Sequence, residues 1–149
     1  MSAVIEQADS ADQPDPWTHA ERQLADLTSL PHGWDGGDAP PVSPKAGKRV
    51  MRLVRAVTDY QSVFPTLVTD YEGGVTAEWR SGKQRVAIEV ESTGEAYLYA
   101  ISPEGKSILE DAVSFNQDAY RKIRIARKEI SRMSARVSRI NPNWRCLFQ

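Results

Sequence analysis

The sequence predicts an α+β fold, in which two N-terminal helices and a long C-terminal helix pack on one face of a four-stranded antiparallel meander. Three observations predict it. Apolar residues recur every three or four positions in two N-terminal segments and one C-terminal segment, and they alternate with polar residues in the region between. Glycine-containing turns separate the alternating segments. A chain of 149 residues is expected to form one domain with a sizeable core.

The first predicted helix begins near Asp15, whose side chain suits the N-cap position. Pro16, the next residue, suits the first helical position. A capping box formed by Thr18 and Glu21 is the alternative start. Pro31 ends the helix, since proline lacks the N–H that a helix interior needs. The spacing predicts one apolar face formed by Trp17, Ala20, Leu24 and Leu27.

The second predicted helix repeats this start, with Ser43 as the cap and Pro44 at the first position, and Pro65 follows it before the strands. Its apolar face is formed by Ala46, Val50, Leu53, Val54 and Val57. The opposite side carries five bases, Lys45, Lys48, Arg49, Arg52 and Arg55.

The loop between these helices holds the most specific motif of the chain, Gly33-Trp34-Asp35-Gly36. Glycine supplies backbone angles that other residues avoid and the prolines that follow fix them, so the aromatic ring among them is held by something. In one interpretation, Trp34 fills the gap between the first two helices and Asp35 accepts hydrogen bonds from neighbouring amides. In the other, the loop is a recognition surface with Trp34 as its anchor. We favour the first.

The strands of the meander are predicted from period-two alternation and from the turns that bound them. Glu72-Gly73-Gly74 is the turn of the first hairpin. The predicted strands are Thr66–Tyr71, Val75–Arg80, Gln84–Glu91 and Ala96–Ile101. For residues 106–113 the pattern leaves a short fifth strand and a loop equally open.

The last predicted helix runs from about Asn116 to Arg139. Its inward stripe is predicted to contain Tyr120, Ile123, Ala126, Ile130, Met133, Val137 and Ile140. The opposite side is predicted to carry Arg121, Arg124, Lys128, Arg132 and Arg139, with Lys122, Arg127 and Arg136 at its margins. Asn141-Pro142 stops the helix before a short aromatic tail.

The charge is unevenly distributed although the net charge is only −1. Residues 1–38 carry eight acids and one base, whereas residues 120–149 carry nine bases and one acid. Such asymmetry indicates either a partner at one end or mutual neutralisation of the two ends. We expect residues 1–14 to be a disordered acidic N-terminus, residues 15–140 to be a single domain, and residues 141–149 to be a C-terminal tail.

The composition excludes several classes of protein. No apolar run approaches the roughly 20 residues that span a bilayer, so no membrane is expected as a partner. The N-terminus lacks the basic and apolar pattern of a signal peptide, and Cys146 is the single cysteine. The chain is therefore expected to be cytoplasmic, without an internal disulfide and without a His/Cys metal site.

A catalytic constellation is not expected, nor is a cofactor. His19 and His32 are the two residues that titrate near neutral pH unaided, and packing or surface roles suit both. Glu89 and Glu91 share one strand face, as metal-binding acids of nucleases do. No lysine follows in register, however, so a metal-dependent nuclease is the least favoured hypothesis. A solvated sheet face with Arg80 and Arg85 as cross-strand neighbours is preferred.

A resemblance rests on the loop Gly33-Trp34-Asp35-Gly36-x-x-Ala39-x-Pro41 and the segment Gly73-Gly74-Val75-x-x-Glu78-Trp79. With these motifs the chain resembles an uncharacterised family of small bacterial and phage-associated proteins. The resemblance covers roughly residues 24–101, about half of the chain. It implies a bacterial cytoplasmic protein, encoded on a mobile element or beside a toxin or defence gene, and it supplies no active site.

The sequence thus predicts a non-enzymatic interaction module, an antitoxin-like, immunity or regulatory protein whose partner is another protein. Direct binding of DNA or RNA through the basic last helix is the alternative. The predicted partner-binding residues are Arg121, Arg124, Lys128, Arg132, Arg136 and Arg139, and the loop motif Gly33, Trp34, Asp35 and Gly36 forms or supports a second surface.

Overall fold

The computed structural model describes residues 14–114 and 117–148, so the predicted disordered segment 1–14 lies outside these residues except for Pro14. The fold is α+β: two N-terminal helices are followed by five strands and a long helix, and the chain ends in a short 3-10 helix at Trp144–Phe148. The helices are α1 (Pro16–Thr28), α2 (Pro44–Val57) and α3 (Gln117–Ile140). The strands are β1 (Thr66–Thr69), β2 (Val75–Ser81), β3 (Gln84–Val90), β4 (Ala96–Ile101) and β5 (Ser107–Val113).

Side-chain caps start the first two helices where the sequence placed them. The Asp15 carboxylate accepts a hydrogen bond from the backbone N–H of Thr18 at 2.7 Å, so Asp15, rather than the alternative capping box, begins α1. The Ser43 hydroxyl accepts from the N–H of Ala46 at 3.4 Å and donates to the carbonyl of Ser92 at 2.6 Å. Ser43 therefore also ties the start of α2 to the β3–β4 turn.

The five strands form one antiparallel meander in the order β1-β2-β3-β4-β5. The fifth strand, left open by the sequence, pairs with β4 and contains an irregularity next to Ala100. Trp79, Ile88 and Leu98 lie on one face of neighbouring strands and are almost fully buried beneath the helices. The indole N–H of Trp79 donates to the carbonyl of Val63 at 3.0 Å, which satisfies its polar group inside the core.

The buried stripe of α3 differs in phase from the predicted one at both ends. Tyr120 and Ile140 were predicted to face the sheet, but they are 69% and 81% exposed. The stripe that contains the fully buried Ala126 continues backwards through Lys122 to Ala119, one residue before Tyr120. Because successive helical residues are about 100° apart, this shift turns Tyr120 out to solvent.

The tail after α3 packs against the domain. Trp144 is 4% exposed, and its ring lies edge-on to Phe64 with the centroids 5.0 Å apart. The Trp144 indole N–H donates to the hydroxyl of Ser138 at 3.2 Å. These contacts anchor the aromatic tail beside the C-terminal half of α3.

Candidate nucleic-acid interface

The basic sides of α2 and α3 belong to neighbouring helices, because these two helices pack against each other on the sheet. In α2 the five positions predicted to face inward are all buried, namely Ala46, Val50, Leu53, Val54 and Val57, and Gly47 is buried as well. This face leaves the five bases of α2 on the outer side, where four of them are exposed and Arg49 is half-buried. The sequence of α2 contains no acid that could neutralise them.

A groove of about 700 Å³ lies between the N-terminal half of α2 and the ends of β4 and β5. Four bases of α2 line it, namely Lys45, Lys48, Arg49 and Arg52. The Arg49 guanidinium donates to the carbonyls of Gly94 at 3.3 Å and Val113 at 2.9 Å, which fixes the helix to the β3–β4 turn and to the end of β5. Glu95 also lines this groove, so its charge is mixed at the strand end and positive along the helix.

A second groove, of about 670 Å³, follows the N-terminal half of α3. Its basic lining residues are Arg121, Arg124, Arg127 and Lys128. Tyr120 stands among them, and the guanidinium carbon of Arg124 lies 5.9 Å from the centre of its ring. Arg121 is ion-paired with Asp118 at 3.2 Å, and hydrogen bonds from Arg121 and Lys122 hold the pKa of Asp118 below its ordinary value.

Three of the six predicted partner-binding residues line this groove: Arg121, Arg124 and Lys128. The other three lie farther along α3. Arg132 is paired with Glu129 at 3.2 Å, and half-buried Arg136 donates to the side-chain oxygen of Gln84 at 2.6 Å. Arg139 is exposed in the last turn.

The structure differs from the sequence prediction in the position of Lys122 and in the bases that line the grooves. Lys122, predicted at the margin of the basic side, is only 7% exposed. Its ammonium contacts Asp111 at 3.3 Å and donates to the carbonyl of Ala112 at 2.7 Å, so it joins α3 to β5. The sequence did contain a signal for this inward position, because Lys122 is four residues before Ala126 and therefore lies on the same side of the helix. Arg127 was predicted only at the margin of the basic side and was absent from the predicted site. The bases of α2 were also absent, because only tertiary packing brings α2 beside α3.

The glycine-rich loop is held by its own backbone and by the first hairpin. The Asp35 carboxylate accepts from the N–H groups of Gly37 at 2.9 Å and Ala39 at 3.3 Å, as predicted, and the first of these bonds is the main cause of the lowered pKa of Asp35. The Trp34 indole N–H donates to the carbonyl of Pro40 at 3.2 Å. The Trp34 ring stacks on Tyr71 with the centroids 5.9 Å apart. The prediction that Trp34 fills the gap between the first two helices is therefore wrong, because the indole lies half-buried against the β1–β2 turn.

The two motifs that carry the resemblance meet in space. The backbone N–H of Ser43 donates to the carbonyl of Gly73 at 2.9 Å. A Cβ atom at Gly73 would lie 3.0 Å from the carbonyl oxygen of Pro41, and the φ of Gly73 is +88°. Loop and turn thus form one packed unit in which glycine is required at position 73 for both its conformation and its size.

The opposite face of the sheet carries acids and tyrosines. Arg80 and Arg85 lie opposite each other on β2 and β3, and both pair with Glu78, at 2.9 Å and 3.0 Å. Burial and a hydrogen bond with Glu89 raise the pKa of Tyr99 to about 12. Within residues 14–114 and 117–148, no group of three His, Cys, Asp or Glu residues is arranged to hold a metal ion.

The two histidines lie apart. His19 stacks on Phe64 with the centroids 4.8 Å apart and meets Phe148 edge-on at 5.0 Å. Burial, together with the charge of Arg22, lowers the pKa of His19. His32 is exposed beside the glycine-rich loop. His19 is therefore part of the packing around the tail.

No family model, curated protein or solved structure matches the chain. The resemblance to small bacterial and phage-associated proteins therefore stays a prediction. Among the helices in the part of the chain that the structure describes, none has the length and apolar character needed to cross a membrane.

Proposed function

We propose that this chain binds nucleic acid through the exposed bases of α2 and the N-terminal half of α3. This α2–α3 surface consists of Lys45, Lys48, Arg52, Arg55, Arg121, Arg124, Arg127 and Lys128. The observation that carries the proposal is the packing of two basic helices side by side, each with a groove lined by its bases. Because the two helices are neighbours, we infer that bases far apart in the sequence contribute to one positive surface.

The chemistry of these residues suits a phosphate backbone. Arginine presents a planar fork of donors that binds phosphate oxygens in pairs, and lysine adds flexible point charges. Ion pairs partly compensate this charge, since Arg55 pairs with Glu21 of α1 and Arg121 pairs with Asp118. About five phosphate contacts made by this surface would give a slope of roughly −3.5 for log K against log salt concentration on a single strand.

The far side of the sheet supports the same orientation. Glu89 and Glu110 lie on that face, and their carboxylates would repel a polyanion, whereas Glu78 is paired with Arg80 and Arg85. The pKa of Glu91, at the end of β3, is raised first by burial and then by the neighbouring Glu95. A ligand with many phosphates would accordingly dock on the helices and not on the sheet.

A partner protein is the second candidate, and the observation that favours it is the aromatic pair at the hairpin tip. Tyr71 is 71% exposed and is stacked on Trp34, whose loop is fixed by internal hydrogen bonds. Rigid, exposed aromatic residues are frequent anchors of protein interfaces. An antitoxin, immunity or regulatory role, as the family resemblance implies, would use this surface, the α2–α3 surface, or both.

The test compares two variants that change the net charge equally. Arg124→Glu/Lys128→Glu alters the α2–α3 surface, whereas Lys83→Glu/Lys106→Glu alters exposed positions in the β2–β3 and β4–β5 turns. Fluorescence anisotropy with labelled 20-nucleotide RNA and DNA, at several salt concentrations, measures the Kd. We expect the α3 variant to lose binding at least tenfold more than the turn variant.

Two results would overturn the proposal: equal losses in both variants, which would indicate non-specific attraction, or no binding of any oligonucleotide by the unmodified chain at 50 mM salt. A pull-down from a bacterial lysate with and without nuclease then tests the partner-protein candidate. Recovery of one protein after nuclease treatment, dependent on Trp34 and Tyr71, would support that second candidate.

A further inference from the structure

We infer that the ligand of the α2–α3 surface is a single-stranded nucleic acid and that Tyr120 is a residue on which one of its bases stacks. This inference rests on the proposed function and specifies its substrate class. It follows from the exposure of one aromatic side chain, from the arginines around it, and from the way in which base pairing hides the faces of the bases.

Tyr120 occupies an unusual place for a tyrosine. It lies at the start of α3 and is 69% exposed, although the apolar periodicity of the sequence directs it towards the sheet. Neighbouring Ala119 takes the buried position and is 5% exposed. The Tyr120 ring therefore contributes little to the core and stands in the groove of about 670 Å³ that runs along the helix.

Most of the charged side chains around the ring can bind phosphate, although the acid Asp59 also lines the groove. Arg121, Arg124 and Arg127 line the same groove, as does Lys128. Arg124 is one helical turn beyond Tyr120, and its guanidinium carbon is 5.9 Å from the ring centre, within the range of a cation–π contact. An aromatic face between arginines is the arrangement that non-specific single-strand binders use. The nucleobases stack on the aromatic residue, and the phosphates contact the basic side chains.

Two other exposed tyrosines serve as a comparison, because each of them contacts another aromatic ring. Tyr71 stacks on Trp34, and Tyr60 lies edge-on to Trp17 with the centroids 4.7 Å apart. Each of these rings thus extends an aromatic cluster of the fold. Tyr120 contacts an arginine within a basic groove, so its exposure is better accounted for by a ligand than by packing.

Single strands are favoured over duplexes for a geometric reason. In a duplex the faces of the bases are covered by their neighbours in the stack, so an aromatic ring on a protein surface gains nothing from them. In a single strand a base can turn out and stack on the ring. Tyr120 should therefore matter for single-stranded ligands and not for duplexes, whereas the basic residues should matter for both.

The experiment measures the Kd of labelled 20-nucleotide RNA and DNA single strands, and of the matching duplexes, for three variants. Tyr120→Ala removes the ring, Tyr120→Trp keeps a stacking surface, and Ile140→Ala removes an equally exposed apolar side chain from the other end of the same helix. Circular dichroism confirms that each variant is folded. We expect Tyr120→Ala to weaken single-strand binding about 5- to 150-fold. Tyr120→Trp should retain most of the affinity, and Ile140→Ala should leave it unchanged.

The stacking contact also has a spectroscopic signature. A tryptophan at position 120 should lose fluorescence on addition of unlabelled single strands, relative to the unmodified chain with its four native tryptophans. Unchanged single-strand affinity in Tyr120→Ala, or duplexes binding as tightly as single strands, would overturn the inference. The proposed function would stay intact provided that Arg124→Glu/Lys128→Glu still loses binding at least tenfold more than Lys83→Glu/Lys106→Glu. Absence of oligonucleotide binding by the unmodified chain would overturn both.

Discussion

Both halves of α3 carry several bases, but their surroundings differ. In residues 117–128, Arg124, Arg127 and Lys128 project into the groove along the helix. In residues 129–140, Glu129 is 3% exposed and Arg136 is half-buried, and both are hydrogen-bonded to Gln84. The N-terminal half therefore presents most of its bases to solvent, although Lys122 is buried against β5. In the C-terminal half Glu129 and Arg136 hold the sheet, while Arg132 and Arg139 are exposed.

The difference shows that a count of the bases along a helix overestimates the number that are available to a ligand. The side-chain amide of Gln84 donates to the Glu129 carboxylate at 2.7 Å, and the Gln84 oxygen accepts from Arg136. Ser134 also acts inside the fold, where its hydroxyl accepts from the backbone N–H of Val63 at 2.9 Å. Buried polar groups need such partners, since leaving one unsatisfied costs more than the bond itself contributes. We therefore expect substitutions in the two halves to affect different quantities.

The largest expected effect is the loss of stability in Glu129→Ala. This substitution leaves the buried amide of Gln84 without its carboxylate acceptor and Arg132 without its ion-pair partner, so the free energy of unfolding should fall by about 2 kcal/mol. Urea denaturation followed by circular dichroism measures it. Glu110→Ala, at an exposed position on β5, is the control and should change the stability by less than about 0.5 kcal/mol. Equal stability of the two variants would contradict the role of Glu129.

Arg136→Ala should have the next largest effect. It leaves the side-chain oxygen of Gln84, which is fully buried, without its donor, at a cost of about 1.5 kcal/mol. Affinity for single-stranded oligonucleotides should remain that of the unmodified chain. Arg139→Ala, at an exposed position one turn later, should be nearly neutral for stability. A loss of affinity in Arg136→Ala, with unchanged stability, would place Arg136 in the binding surface instead.

Arg127→Ala tests the N-terminal half and should have a smaller effect. Removing one exposed phosphate-binding group should weaken oligonucleotide binding roughly fivefold, which corresponds to about 1 kcal/mol. The slope of log K against log salt concentration should become shallower by the amount expected for about one phosphate contact. Arg139→Ala removes the same side chain from the other half and should leave the Kd and the slope unchanged. Identical oligonucleotide-binding curves for the two variants would contradict the assignment of the binding surface to the N-terminal half of α3.

The smallest expected effect concerns His19, which packs against the tail that follows α3. Its folded-state pKa lies below the unfolded value, so the unfolded chain takes up the proton first as the pH falls. Its neutral form therefore contributes stability that is complete above about pH 6.5 and declines below it. The Tm of the unmodified chain should fall more between pH 7.5 and pH 5.5 than that of His19→Gln. His32→Gln, at an exposed loop position, should show the full decrease.

Much of the fold could be predicted because its signals are local. Asp15 and Ser43 cap their helices through bonds that span three residues, and Gly73-Gly74 lies in the turn of the first hairpin. Alternation predicted β2 to β4 to within one residue at each end. Residues 107–113 remained ambiguous because strand β5 is mostly exposed and lacks a continuous apolar side.

The candidate site could be predicted only in part. Arg121, Arg124 and Lys128 were found because helical spacing places them on the side opposite the apolar stripe. The orientation of Tyr120 was missed, since a tyrosine is amphipathic and fits either side of a helix. Arg136 was assigned to the surface because its partner Gln84 is 52 residues away in the sequence.

The sequence by itself determined the α+β class, the helix starts, the turns of the meander and the excess of bases near the C-terminus, because each depends on neighbours a few residues apart. Only the tertiary structure decided that α2 lies beside α3, that Trp34 rests on the β1–β2 turn, and that Lys122 and Arg136 turn inward. These outcomes depend on contacts between distant segments. Local periodicity allows more than one orientation for such a side chain. The orientation that is adopted is the one that buries apolar surface and gives each buried polar group a hydrogen-bond partner.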